Sequence, residues 1–293
     1  MNLLVLGNCQ ARPVAQILSR VPGIGILDPI ILHLSHADQV NEHHAQMASA
    51  DLILAQFTNC AFKPEHLAAG TVARNWPNKT LIWPNLFYSG QQPFLRYLTC
   101  PNQGRLMGPF DAVHDIRLLL EWHALRQGRS APKIDTPEYI ARVRAESIAT
   151  LRNREASCDV GICDLIETHQ DERRLFFTFN HPARWLLEAL CARVTAHAQI
   201  DLPDAQDARE PLDRFIVPST WTDRREPTFE GTQVTLQPDG TIISKGQQSY
   251  TPASLRETAF RCFDHLAPHL DLSALRLTPK LNADSAPLVS GLH

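Results

Sequence analysis

Several features are missing from this chain of 293 residues, and each absence excludes a class of protein. No stretch approaches the ~18 consecutive apolar residues of a membrane-spanning helix. The N terminus has no basic segment before its short apolar run, so it does not resemble a secretory signal peptide. The net charge is only −3, which argues against the broad basic surface of a nucleic-acid-binding protein. We therefore expect a cytoplasmic protein with no membrane span and no nucleic-acid partner.

Paired cysteines are also lacking. The seven cysteines are odd in number, scattered along the chain and free of any CxxC pair. This pattern favours free thiols in a reducing compartment, and it argues against a disulfide framework or a structural zinc site. Four histidines (His33, His36, His43 and His44) are close in sequence, but their predicted positions do not share a face. We interpret them as a solvated patch and expect no metal.

Nucleotide-binding fingerprints are absent, although the pattern of elements is that of an α/β protein. Neither GxGxxG nor GxxxxGK[ST] occurs. Buried apolar runs alternate with helical patterns over the first part of the chain, as in a doubly wound parallel sheet. The predicted strands are residues 2–6, 23–34, 51–57 and 79–83, and the predicted helices start at residue 12 and cover 37–50 and 64–76.

The later part of the chain predicts further helices and a hairpin. Helices are expected at 111–127, 137–156, 183–197 and 252–270, a strand at 174–180 and a β-hairpin at 233–244 around Pro238-Asp239-Gly240. The last ~20 residues are polar and expected to be loose. We predict an α/β fold with a mainly parallel sheet flanked by helices. Residues 1–200 would form the catalytic domain, and residues 201–293 a C-terminal extension of hairpin and helix.

Polar side chains follow three of the predicted strands. They are Asn8-Cys9-Gln10, Asn85 and Asn180-His181. Ligands bind outside the carboxyl ends of strands in an open α/β sheet, so we expect these groups to converge there. Cys9 precedes a helix start, where a thiol has a lowered pKa and acts as a nucleophile. The alternative is a small buried residue in a tight turn.

A cysteine, a histidine and several amides are the components of acyl transfer. In this interpretation Cys9 is the nucleophile and His181 the base, while Asn8, Asn85 and the backbone amides at residues 9–10 hold an oxyanion. The alternative for His181 is an ordinary helix N-cap. Arg12 and Arg184, together with Arg173 and Arg174, are either phosphate-binding groups or plain surface charges.

Asp111 and His114 offer a competing pair of catalytic residues. A spacing of three places both on one face of the predicted helix at 111–127, so that the aspartate orients the histidine. With Cys9 in place of a serine, this arrangement predicts an ester hydrolase of the SGNH type. The alternative is a solvated helix face with no catalytic role.

Three motifs in order resemble a known family. They are GNCQ at residues 7–10, Pro84-Asn85-Leu86-Phe87 followed by Gly90 and Pro93, and LFFTFNHP at residues 175–182. Over about the first 200 residues the chain is similar to the polysaccharide biosynthesis family typified by the capsule enzyme WcbI. The resemblance implies coenzyme A binding and acetyl transfer to a sugar hydroxyl of a surface polysaccharide. The positions carried over are Asn8, Cys9, Gln10, Asn85, Asn180 and His181.

Three hypotheses follow. The first is an O-acetyltransferase that uses acetyl-CoA as cosubstrate and a sugar as acceptor. In it Asn85 acts with Cys9 and His181, and Asn8, Gln10, Arg12, Asn180 and Arg184 bind the coenzyme. Cys9 either forms a thioester or only shapes the pocket. The second is the SGNH-like hydrolase. The third is a non-catalytic nucleotide- or sugar-binding module of a polysaccharide assembly system.

Overall fold

The chain forms two compact units, each assembled from separate segments. The computed structural model describes residues 1–101, 103–200, 202–203, 209–221 and 228–285. Unit 1 consists of Met1–Phe87, Ala149–Leu175 and His181–Pro211; unit 2 consists of Tyr88–Ile148, Phe176–Asn180 and Leu212–His293. The predicted division of the chain at residue 200 stays a prediction.

The elements of the described residues are as follows. The α-helices are α1 (Ala11–Leu18), α2 (Val40–Ser49), α3 (Ala69–Asn75), α4 (Ile116–Arg126), α5 (Pro137–Glu155), α6 (Cys163–His169), α7 (Arg184–His197) and α8 (Pro252–Leu266). The strands are β1 (Asn2–Gly7), β2 (Gly25–Ile26), β3 (Ile30–Ile31), β4 (Leu52–Gln56), β5 (Thr80–Trp83), β6 (Leu95–Cys100), β7 (Gly104–Arg105), β8 (Val113–Asp115), β9 (Phe176–Thr178), β10 (His181–Pro182), β11 (Phe229–Leu236), β12 (Ile242–Tyr250) and β13 (Arg276–Thr278). No helix of these ranges is long and apolar enough to cross a membrane.

Unit 1 contains the predicted parallel sheet. Its strand order is β2-β1-β4-β5, and β3 also pairs with β1. Strand β1 is apolar throughout because residues Leu3 to Leu6 are covered on both faces and are at most 1% exposed. Met47 and Val72 pack against the core of this sheet. The predicted α/β class, with a parallel sheet flanked by helices, is confirmed.

Unit 2 is built around antiparallel strands. Strand β6 pairs with β13, β7 and β8, and β11 pairs with β12. The predicted C-terminal hairpin and closing helix are both present, although the hairpin is longer than expected. Its turn is stabilised by the Asp239 carboxylate, which accepts from the Thr241 backbone N–H at 3.0 Å. Helices α4 and α8 contribute Leu120 and Phe263 to the core of this unit.

Several predictions about the chain are wrong in part. The strand expected at 23–34 forms only Gly25–Ile26 and Ile30–Ile31. The helix expected from residue 111 begins at Ile116, because Asp115 caps it by accepting from the Arg117 N–H at 2.9 Å. The last ~20 residues were expected to be loose. However, Arg276–Thr278 pairs with β6, and Asp284 is only 3% exposed. Residues 286–293 lie outside the described part of the chain.

A buried ion pair holds Asp284 against β6. The Arg96 Nε donates to Asp284 Oδ2 at 2.9 Å, and its Nη2 donates to Oδ1 at 2.8 Å. The Tyr139 hydroxyl donates to the same carboxylate at 2.6 Å, and burial raises the pKa of that tyrosine. The guanidinium also donates to the Pro93 and Leu95 carbonyls, so its charge is fully solvated by protein groups.

We expect the Asp284→Ala substitution to destabilise the protein by ~3–5 kcal/mol, because Arg96 would be left buried with an uncompensated charge. Urea unfolding followed by circular dichroism measures the change. The control is Asp135→Ala in the same unit, where the aspartate is exposed. A loss below ~0.5 kcal/mol for Asp284→Ala would contradict the assigned role.

The histidine patch is only partly solvated. His43 is 5% exposed, and its Nδ1 lies 2.9 Å from His66 Nε2, with one ring donating to the other. Burial lowers the pKa of both rings. The neighbouring His43 and His44 lower the pKa of His66 further. The solvated-patch interpretation is therefore wrong for His43, whose partner is a histidine from outside the cluster.

This pair predicts a loss of stability in acid. Because the folded-state pKa values lie below the unfolded value of about 6.5, the unfolded chain binds more protons as the pH falls. The free energy of unfolding should be steady above about pH 7 and decrease as the pH falls through about 6.5. We expect His66→Gln to make this decrease shallower in pH-dependent urea unfolding. The exposed control His197→Gln should leave it unchanged, and equal slopes in both variants would disprove the interpretation.

Candidate active site

The turn between β1 and α1 is fixed by close packing. A Cβ atom at Gly7 would lie 2.9 Å from Trp83 Cζ2 and 3.2 Å from Ala11 Cβ, so only glycine lets strand, helix and indole meet. The Asn8 side-chain oxygen accepts from the Gln10 N–H at 2.9 Å. The Asn8 carbonyl accepts from the Ala11 N–H at 3.0 Å, which closes the turn just before the helix.

Gln10 ties this turn to the segment that follows β5. Its Nε2 donates to the Leu86 carbonyl at 2.8 Å, and its Oε1 accepts from the Leu86 N–H at 3.2 Å. Its Oε1 also accepts from Gln56 Nε2 at 2.9 Å. The sequence predicts a cofactor contact for Gln10. Because the side chain is fully buried, the structure instead gives it a positioning role.

The ends of β1 and β5 converge as predicted. Asn8 Nδ2 donates to Asn85 Oδ1 at 3.3 Å, and both residues are half-buried. Gln56, at the end of β4 between them, accepts from the Asn8 N–H at 2.8 Å. Gln56 is not among the residues predicted from the sequence. The sequence feature that could have identified it is a polar residue at the end of the buried run LILAQ.

Arg154 on α5 holds the loop that carries Asn85. Its guanidinium donates to the Asn85 carbonyl at 2.9 Å and to the Phe87 carbonyl at 3.2 Å. Burial lowers the pKa of this arginine. Nothing in the local sequence separates Arg154 from the other arginines of α5, so this positioning residue was not predicted.

Cys9 is half-buried, and its thiol differs from the one predicted. Burial raises the pKa of Cys9, and the smaller opposing effect of its own backbone N–H does not compensate. The prediction of a lowered pKa is therefore wrong. The Gln10 N–H, proposed as an oxyanion donor, already donates to Asn8. At neutral pH the residue is a neutral thiol, and the predicted oxyanion donors that remain are the Cys9 N–H and the side-chain amides.

His181 belongs to unit 1, like Cys9, and forms the short strand β10 with Pro182. The N-cap of α7 is Ala183, so the alternative of His181 as helix cap is wrong. Asn180 belongs to unit 2, where it accepts from the Thr178 hydroxyl and donates to the Tyr97 hydroxyl, both at 2.9 Å. Its side-chain amide is therefore engaged in the packing of that unit.

The two arginines predicted to bind the coenzyme differ in their surroundings. Arg184 at the start of α7 lies 3.4 Å from the Glu188 carboxylate, and its backbone N–H donates to Glu210. Arg12 is exposed on the first turn of α1. Within the described ranges its guanidinium has no hydrogen bond or ion pair. Arg12 is thus the more available of the two for a phosphate group.

A cleft of about 470 Å³ opens beyond the carboxyl end of β4 in unit 1. Thr58, Asn59 and Thr71 are polar groups of its wall, and Arg74 donates to the Thr71 hydroxyl at 3.1 Å. Ile82 and Ala68 supply apolar surface. Asn8, Cys9 and Asn85 are not among the residues that line this cleft, so it is distinct from the place where the two asparagines meet.

The competing pair of Asp111 and His114 is not formed. Asp111 lies in a turn with φ of 59°, and His114 lies in strand β8 rather than on a helix. The His114 ring is 3% exposed, and its Nε2 donates to the Leu106 carbonyl at 3.0 Å. Burial lowers the pKa of His114 to about 4. The predicted aspartate–histidine dyad is therefore wrong. Among the described residues, no cluster of three or more His, Cys, Asp or Glu is placed to hold a metal ion.

A thiol, a histidine and paired amides in a unit with a parallel sheet are typical of a small-molecule-binding α/β enzyme. A family model described as polysaccharide biosynthesis enzyme WcbI matches residues 2–203. The chain therefore belongs to the WcbI polysaccharide biosynthesis enzyme family, which confirms the resemblance seen in its sequence motifs.

A solved structure has the same fold. It is described as native WcbI, a novel polysaccharide biosynthesis enzyme, without a disulfide bond between coenzyme A and one of its cysteines. The two chains are 15% identical, and the TM-score is 0.64. The match covers 99% of this chain and 92% of the other. A search of curated proteins finds no match.

We expect Gln10→Leu to destabilise the protein by roughly 3 kcal/mol, because it leaves both backbone groups of Leu86 and the Gln56 amide without their partner. Thermal and urea unfolding measure the loss. The matched control is Gln16→Leu, on the exposed face of the same helix, with a change within about 0.5 kcal/mol. If the two variants unfold alike, the buried amide does not hold the site together.

Proposed function

We propose that this protein is a coenzyme A-dependent acyltransferase that acetylates a sugar hydroxyl during polysaccharide biosynthesis. The observation that carries the proposal is the pairing of the Asn8 and Asn85 amides beside Cys9, at the carboxyl edge of the parallel sheet. Side-chain amides that are fixed in place and partly shielded from water are suited to stabilise an oxyanion. Membership of a polysaccharide biosynthesis family supports the sugar as acceptor.

The coenzyme is proposed as the acyl donor on two grounds. The related solved structure is described with reference to a disulfide between coenzyme A and a cysteine, which supports placing the thioester sulfur beside Cys9. The exposed guanidinium of Arg12 on the first turn of α1 and the positive end of that helix fit an anionic phosphate.

The raised pKa of Cys9 favours direct transfer over a covalent intermediate. In this mechanism His181 takes the proton from the acceptor hydroxyl, and the oxygen attacks the thioester carbonyl carbon. Asn8 and Asn85 donate through their Nδ2 groups to the oxyanion. When the carbon–sulfur bond breaks, His181 returns the proton to the departing thiolate. Cys9 stays a neutral thiol that forms the wall of the pocket.

Transfer of radiolabelled acetyl groups from acetyl-CoA to alkali-treated surface polysaccharide of the source organism tests this scheme. We expect Cys9→Ala to retain activity within about tenfold, because no bond to the sulfur is formed. Asn85→Ala should reduce kcat by ~10²–10³, the usual effect of losing an oxyanion donor. The exposed Asn75→Ala serves as the matched control.

Other outcomes favour other functions. If Cys9→Ala abolishes transfer while Asn85→Ala does not, the covalent thioester route replaces the direct one. Release of acetate from simple esters without coenzyme A would favour an ester hydrolase. Calorimetric binding of coenzyme A without turnover would favour a non-catalytic binding module, and absence of binding to both coenzyme A and acetyl-CoA would refute the proposal.

A further inference from the structure

Unit 2 contains a groove that the proposed chemistry does not use. Its volume is about 930 Å³, within the range of small-molecule binding sites. Met107, Ile242 and Leu266 contribute apolar surface. Charged and polar side chains complete the lining, namely Gln103, Arg105, Asp239, His269 and Asp271.

The charged groups of the groove select against a phosphate-rich ligand. The groove is lined by two carboxylates, Asp239 and Asp271, and by one guanidinium, Arg105. Hydrogen bonds from Thr241 lower the pKa of Asp239, and those from Ser273 lower the pKa of Asp271, so both carboxylates stay ionised. A polyphosphate would meet more negative than positive charge, whereas neutral hydroxyl groups can donate to the carboxylates and accept from the guanidinium.

One acceptor at the groove is left unused. Gln103 Oε1 is shielded from solvent and accepts no hydrogen bond from any described residue. A buried acceptor without a donor costs ~1–3 kcal/mol. A rotation of this amide toward a ligand hydroxyl would recover that free energy. A ligand with hydrogen-bond donors would suit this oxygen.

The polar groups are held in place before any ligand arrives. Asp239 accepts from the Thr241 hydroxyl at 2.7 Å, and Asp271 accepts from the Ser273 hydroxyl at 2.6 Å. The Arg105 guanidinium lies 4.2 Å from the centroid of the Tyr97 ring. Gly240 forms the turn beside these groups with φ of 87°. A Cβ atom at this residue would lie 3.2 Å from the His269 ring. Prior ordering of this kind lowers the entropy cost of binding.

We propose that this groove binds a segment of an uncharged saccharide chain. Carboxylate, amide and guanidinium groups pair with sugar hydroxyls, and the apolar surface covers the C–H faces of the sugar rings. The inference rests on membership of a polysaccharide biosynthesis family and does not depend on acetyl transfer. The groove would select the chain on which the protein acts.

Methionine methyl NMR tests the proposal on the full chain. The protein has three methionines, and Met107 lies in the groove while Met47 is fully buried in unit 1. We expect neutral gluco-, galacto- or manno-oligosaccharides, added to about 10 mM, to shift the Met107 methyl signal in a saturable way and to leave Met47 in place. Acetyl-transfer activity is a separate readout, so this result stands or falls independently of the acyltransferase proposal.

Gln103→Leu gives the second test. It removes the unused acceptor, so we expect unchanged or raised thermal stability with saccharide affinity weakened about three- to tenfold. The control Gln248→Leu, exposed on β12, should leave the affinity as it was. The proposal is overturned if no saccharide of the panel shifts Met107, if Gln103→Leu and wild type bind alike, or if coenzyme A shifts Met107 in preference to the saccharides.

Discussion

The candidate site depends on one buried amide. Gln10 bonds both backbone groups of Leu86 and the Gln56 side chain, and it does so from inside the helix start that also carries Cys9. Because Gln10 bonds both the N–H and the carbonyl of Leu86, it holds the loop with Asn85 beside the end of β1 in the way that a neighbouring strand would. Together with Arg154, these hydrogen bonds set the separation at which Asn8 and Asn85 face one another.

The packing that gives the site its geometry also sets its chemistry. Burial around the GNCQ turn disfavours the charged form of Cys9 and raises its pKa. The start of the helix does not offset this rise in the pKa of Cys9, because the Gln10 N–H already donates to the Asn8 side chain. A site that shields its thiol in this way is poorly suited to generate a thiolate.

The sequence could predict what depends on neighbours along the chain. The apolar run of β1, the glycine and polar residues after it, and the helix that follows are local signals, and they located Asn8, Cys9 and Asn85 correctly at strand ends. Arg154 and Asp284 could not be found in this way, because their roles depend on partners far away in sequence: Asn85 and Arg96. The dyad at Asp111 failed for a related reason. A capping aspartate, Asp115, starts the helix four residues later, and residue spacing alone does not identify the cap.

The family match covers the proposed catalytic residues but only some of the residues that line the groove in unit 2. Residues 2–203 match the family model and contain Cys9, Asn85 and His181. The groove in unit 2 combines Gln103 and Arg105 from the matched residues with Asp239, Ile242 and His269 from beyond them. The related structure covers nearly the whole chain at 15% identity, so the hairpin and closing helix can keep their fold while their side chains change. The groove therefore includes residues beyond the family match, whereas Cys9, Asn85 and His181 all lie within it.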